Sequence, residues 1–126
     1  MFVDTKEQEA MTTTVPIDRA PAEPVEAWRT LLRGAADMID KVGWVRGTQE
    51  DAYGHLCIEG ALGKMMLKMR AEDERLDVHQ VFSDAHAAIS SRIDGQSPSG
   101  WNDTVCQSAD EAMALLRDAA AIGGGQ

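Results

Sequence analysis

Aromatic side chains are scarce in this chain: three Trp, two Phe and one Tyr make up 5% of its 126 residues. Ala, Leu and Met carry most of the apolar content instead. That mix favours helices over sheets, because unbranched side chains lose little freedom on a helix. Cysteine is also rare. Cys57 and Cys106 are the only two, far apart and without the paired spacing of a zinc or redox motif, which points to free thiols in a reducing cytoplasm. No apolar stretch approaches the length of a membrane span, so no membrane association is expected. The start of the chain, with Asp4, Glu7 and Glu9, lacks the basic region and apolar run of a signal peptide. The sequence contains no phosphate-binding loop, dinucleotide fingerprint or catalytic triad, and no cofactor is expected.

Bases are outnumbered, 12 against 21 acids, for a formal charge of −9. Self-repulsion with a phosphate backbone argues against direct nucleic-acid binding. The imbalance is uneven. Residues 1–26 hold six acids and two bases, residues 27–71 five acids and seven bases, and residues 72–126 ten acids and three bases. An acidic partner could meet this mildly basic middle third, although a nucleic-acid groove needs a denser basic stripe.

The length suits one domain, and 44% apolar with 26% charged residues is ordinary for a globular chain. Residues 1–22, with Thr12-Thr13-Thr14, Pro16 and Pro21, read as a flexible acidic tail, in which Met11 offers a second start. Residues 23–121 read as a helical domain and 122–126 as a short flexible tail. A first helix is expected from Pro24, with Val25, Trp28, Leu31, Leu32, Ala35, Ile39 and Val42 at helical spacing. Gly43 would cap it, and Trp44 would fold back onto it. Residues 45–55 form a polar loop in which Asp51 to Gly54 reads as a turn, the tip of a short hairpin-like element.

The second helix is expected from Leu56 to Ala71, with one stripe of Cys57, Ile58, Ala61, Leu62, Met65, Met66 and Met69. An opposite stripe of Leu56, Gly60, Gly63 and Leu67 makes it the central helix of the domain. Asp77 is placed to cap a third helix bearing Val78, Val81, Phe82, Ala85, Ile89 and Ile93. Gly95 to Gly100 reads as a loop that Trp101-Asn102-Asp103 closes. Ser108-Ala109-Asp110-Glu111 is a capping box that opens a fourth helix.

Taken together, Gly43-Trp44, Cys57, Gly60-Ala61-Leu62 and Trp101-Asn102-Asp103 form a pattern spread over residues 28–120. The pattern resembles a small uncharacterised family from actinobacteria and the phages that infect them. The resemblance implies an α-helical domain and a phage or actinobacterial origin, and it carries no assigned activity.

Trp101, Asn102 and Asp103 are the candidate binding residues: an aromatic platform beside an amide and a carboxylate. The same residues equally suit a structural turn, in which Trp101 fills the core and Asn102 or Asp103 bonds backbone. Gly43, Trp44, Cys57, Gly60 and Leu62 read as structural anchors. His55, His79 and His86 with the two cysteines lack the tight spacing of a metal site, so no metal is expected. Cys57 near a helix start could act as a nucleophile, yet it shares its stripe with apolar neighbours. Met65, Met66 and Met69 suit either core or an adaptable groove.

The expectation is a single all-α domain of about four helices that acts as a non-enzymatic interaction protein in the cytoplasm. It would be a phage or actinobacterial accessory factor binding a protein partner, with self-association possible. An acidic inhibitor that mimics nucleic acid is the alternative, followed by a small enzyme using Cys57 or Asp103.

Overall fold

The computed structural model describes residues 24–122 as five helices: α1 (Pro24–Val42), α2 (Ile58–Glu72), α3 (Val78–Arg92), α4 (Pro98–Thr104) and α5 (Ala109–Ile122). The domain is all-α, and no strand forms among the described residues. The tails expected at 1–22 and 122–126 lie outside the described residues, apart from Ile122 at the end of α5. Among the described residues no helix is long and apolar enough to cross a membrane.

The apolar spacing of α1 produces its packing. Trp28, Leu31, Leu32, Ala35, Ala36 and Ile39 are all buried on one broad face. Each of the larger ones contributes about 2 kcal/mol through burial. Small Ala35 and Ala36 let neighbours approach closely, and the most extensive helix packing runs through α1, which meets α2, α3 and α5. The second helix is deeply set, as its main stripe implies, with Ile58, Ala61, Leu62, Met65, Met66 and Met69 buried. Its opposite stripe does not make it the hub, however. Gly63 faces open space, Leu67 is 72% exposed, and Gly60 meets a loop carbonyl rather than another helix.

Short polar signals set the helix ends. Gly43 follows α1 with φ +102°, a left-handed conformation costly for other residues, and its N–H donates to the Ile39 carbonyl at 2.7 Å. The Asp77 carboxylate caps α3 by accepting from the Gln80 N–H at 3.1 Å. At α5 the Ser108 Oγ accepts from the Glu111 N–H at 3.2 Å, while Glu111 reaches back to the Gln107 N–H at 2.7 Å. The reciprocal box is therefore shifted by one residue on its return side.

A correction concerns residues 97–104. The stretch expected to be loop starts α4 at Pro98, and Trp101, Asn102 and Asp103 lie within that helix. Ser97 is its N-cap, accepting from the Gly100 N–H at 3.1 Å, with Pro98 in the first turn. Ser-Pro has the composition of a loop and also the chemistry of a helix start. Here the second holds, and the turn composition belongs to Asp94 and Gly95, both at positive φ.

Residues 43–57 fold as a closed loop. The Leu56 N–H donates to Gly43, the Val45 N–H to Leu56, and the Cys57 N–H to Gln49. The Asp51–Gly54 turn closes with a 3.1 Å bond between the Gly54 N–H and the Asp51 carbonyl. Two isolated bridges, Trp44 with Leu56 and Glu50 with Leu56, make the loop hairpin-like without a strand.

Candidate functional site

Asn102 is the one buried polar side chain in the described core, at 0% exposure. Its Oδ1 accepts from the Trp44 Nε1 at 2.7 Å and from the Ile58 N–H at 3.1 Å. Its Nδ2 donates to the Val45 carbonyl at 3.2 Å and to Asp103 Oδ1 at 2.9 Å. Two acceptor positions and two donors exhaust what an amide offers. Asp103 Oδ1 also accepts the Gly47 N–H at 2.9 Å. That bond, then the Asn102 amide and the Arg46 charge, hold the Asp103 carboxyl below its ordinary value against a small burial effect. Arg46 itself donates to the Cys106 carbonyl and lies 5.8 Å over the Trp44 ring. Trp101 is half-buried against the core.

The Trp101-Asn102-Asp103 trio thus joins α4, the α1–α2 loop and the start of α2. Asn102 keeps no polar atom for a ligand, and one oxygen of Asp103 is shared between two internal donors. Trp44 does not fold back simply onto α1; its indole reaches across to α4.

The candidate nucleophile has a structural task too. Cys57 is the N-cap of α2, its Sγ accepting from the Gly60 N–H at 3.3 Å, and it is buried. Burial pushes its thiol above the ordinary range, and the same holds for Cys106, which donates to the Ser108 carbonyl. Both thiols are free. The histidines pair with carboxylates: His55 Nδ1 with Asp51 at 2.8 Å, and His86 Nε2 with Glu59 at 2.7 Å. His79 is exposed on α3. Among the described residues no three His, Cys, Asp or Glu side chains gather as a metal site.

A polar cleft of about 360 Å³ lies between the loop and α4, with Glu59, Asp103 and Cys57 among its walls. Its carboxylates are already engaged, Glu59 by His86 and Asp103 by Gly47 and Asn102.

The larger concavity lies on the other side of the loop. It is a groove of about 620 Å³ between the second half of α1 and α2, with the loop at its end. That volume falls within the range of small-ligand and peptide-anchor sites. From α1 come Gly34, Asp37, Met38, Lys41 and Val42, all on one helix face; from α2 come Lys64, Met65 and Lys68. Leu56 closes the floor. Gly34 leaves room for Met65: a Cβ there would fall 2.4 Å from the Met65 Sδ, and the end of that flexible side chain would have to shift. Without that Cβ, Met65 lies directly against the α1 backbone.

The rim is basic in an acidic protein. Its two carboxylates are paired, Asp37 with Arg117 at 3.1 Å and Glu50 with Lys64 at 3.2 Å. Lys41 and Lys68 have no ion-pair partner among the described residues. Neither lysine belongs to an apolar stripe of its helix. The signal that pointed to them was the basic excess of residues 27–71, three of whose seven bases, Lys41, Lys64 and Lys68, line the groove.

No curated protein and no solved structure matches the chain. A family model does match, over residues 23–122, an extent that includes all five helices, the Asn102 hydrogen-bond network and the groove. The chain therefore belongs to the family described as "Family of unknown function (DUF6197)".

Proposed function

We propose that this protein is a non-enzymatic interaction module that binds a protein partner through the α1–α2 groove. One observation carries the reading. Four large apolar side chains are strongly exposed among the described residues: Val42 at 40%, Tyr53 at 85%, Leu67 at 72% and Val105 at 45%. Val42 lines the groove, and Tyr53 lies in the loop at its end, next to the lining residue Gly54. An exposed apolar side chain beside a concave apolar floor marks an interaction surface, and Tyr is favoured at such surfaces. The methionines contribute adaptability, with Met38 and Met65 on the groove wall. A phage or actinobacterial accessory role in a reducing cytoplasm accords with the two free thiols and with the family pattern.

A photo-crosslinking residue at Val42, with Ala114 on the exposed side of α5 as control, tests this in cells that encode the chain. The expected result is a discrete protein adduct from position 42 only. Identical adducts from both positions, or none from position 42, would count against the reading.

A further inference from the structure

Building on the groove reading above, we infer that the segment it receives is an acidic amphipathic helix of the partner. The lining residues of α1 recur at steps of three and four from Gly34 to Val42, and those of α2 at the same step from Lys64 to Lys68. Two helix faces meeting over an apolar floor present the arrangement into which a third helix lays its apolar face. Met38, Val42, Leu56 and Met65 supply that floor.

Charge decides which helix fits. The chain carries −9 overall, yet the groove has three lysines at its rim, and its two carboxylates are engaged by Arg117 and Lys64. Lys41 on one wall and Lys68 on the other are the cations without a partner among the described residues. At physiological salt charges more than about 8 Å away are screened, so the groove's own three lysines and two paired carboxylates set most of what a docked helix meets. A helix with carboxylates flanking its apolar stripe would pair on both walls. A basic helix would leave two like-charge contacts, which local complementarity penalises.

The test uses two synthetic helices of about 15 residues, one with leucines at i, i+3, i+4 and i+7 flanked by glutamates, the other with lysines for the glutamates. Binding is read from the ε-methyl resonances of Met38 and Met65. The acidic peptide is expected to move both resonances and the basic one neither. Lys41→Glu with Lys68→Glu should weaken the acidic peptide by about tenfold or more and admit the basic one. Lys41→Gln with Lys68→Gln should weaken the acidic peptide less, and it covers any misfolding of the charge reversal.

Equal binding of both peptides, unchanged affinity in the variants, or silent methyls with both peptides would overturn the inference. Methyl shifts that follow dilution of the protein alone would name a second copy as the occupant and overturn it too. If the peptides fail while position 42 still crosslinks to a protein, the acidic helix is rejected and the interaction reading stands. If both fail, both are rejected.

Discussion

The Trp44 indole donates a 2.7 Å hydrogen bond to Asn102 Oδ1 across 58 residues of chain. The bond joins the first residue after the α1 cap to the middle of α4, at a site where Asn102 also holds the first N–H of α2. The side chain at 102 must accept twice and donate twice in a fixed plane, and only an amide does this at that length. The loop that ends the α1–α2 groove is thereby anchored from its far side.

Replacing Asn102 with Ala leaves the Trp44 N–H, the Ile58 N–H and the Val45 carbonyl short of partners in a buried place. The expected loss is about 3 kcal/mol, read as a lower urea midpoint. Asn102→Asp should cost a similar amount, because it removes both donors and sets a buried carboxylate beside Asp103. A change under about 1 kcal/mol would show that the Asn102 hydrogen bonds do not hold the fold.

Two glycines of the same helix should respond oppositely to alanine. A Cβ at Gly60 would lie 2.1 Å from the Gln49 carbonyl oxygen, a backbone atom that cannot yield cheaply, whereas Gly63 faces open space. Gly60→Ala should destabilise by about 2 kcal/mol or more, and Gly63→Ala should stabilise by about 0.5–1 kcal/mol. Thermal melts of the two variants check this, and matching signs would refute the close approach at Gly60.

Cys57 should label slowly in the native protein, at a rate set by opening of the fold, because it is buried and its thiol is held above the ordinary range by burial. Cys57→Ser keeps an acceptor for the Gly60 N–H, while Cys57→Ala loses it and should be less stable than the serine variant by about 1 kcal/mol. Fast native labelling by a thiol reagent would contradict this placement.

The His86–Glu59 pair gives stability a dependence on pH. The hydrogen bond that His86 donates to the Glu59 carboxylate raises the His86 value above 6.5, against an opposing effect of burial. The folded state therefore holds that proton more tightly than the unfolded chain. The contribution is complete below about 6.5 and is lost as pH rises through the raised folded value. Unfolding midpoints should fall as pH rises above about 6.5 in the native chain, and the slope should flatten in Glu59→Gln. An unchanged slope in that variant would assign the dependence to another group.

Much of this domain was legible beforehand. The faces of α1 and α3, the Gly43 stop, the Asp77 cap and the Ser108 cap all depend on residues within one or two turns, where spacing and backbone chemistry act alone. The role of Cys57 was less visible, since a thiol is an uncommon capping acceptor and its apolar company suggested only core. The short helix α4 was hidden by its composition, because Ser-Pro-Ser-Gly favours a turn as well as a helix start. The hub role passed to α1 because burial of α2's second stripe depended on neighbours whose positions no local pattern states.

The same boundary divides the candidate sites. Trp101-Asn102-Asp103 stood out as an unusual cluster of residue types, yet what those residues bond is set by Trp44, Gly47 and Ile58, far away in sequence. Local periodicity and capping determined by themselves that the chain is helical, where most helices begin and end, and that its middle third is the basic part. Tertiary structure alone decided that the amide of Asn102 is saturated inside the fold and that Lys41 of α1 and Lys68 of α2 line the same groove. Hydrogen bonds and grooves between distant segments depend on how helices pack, and packing is a property of the whole chain.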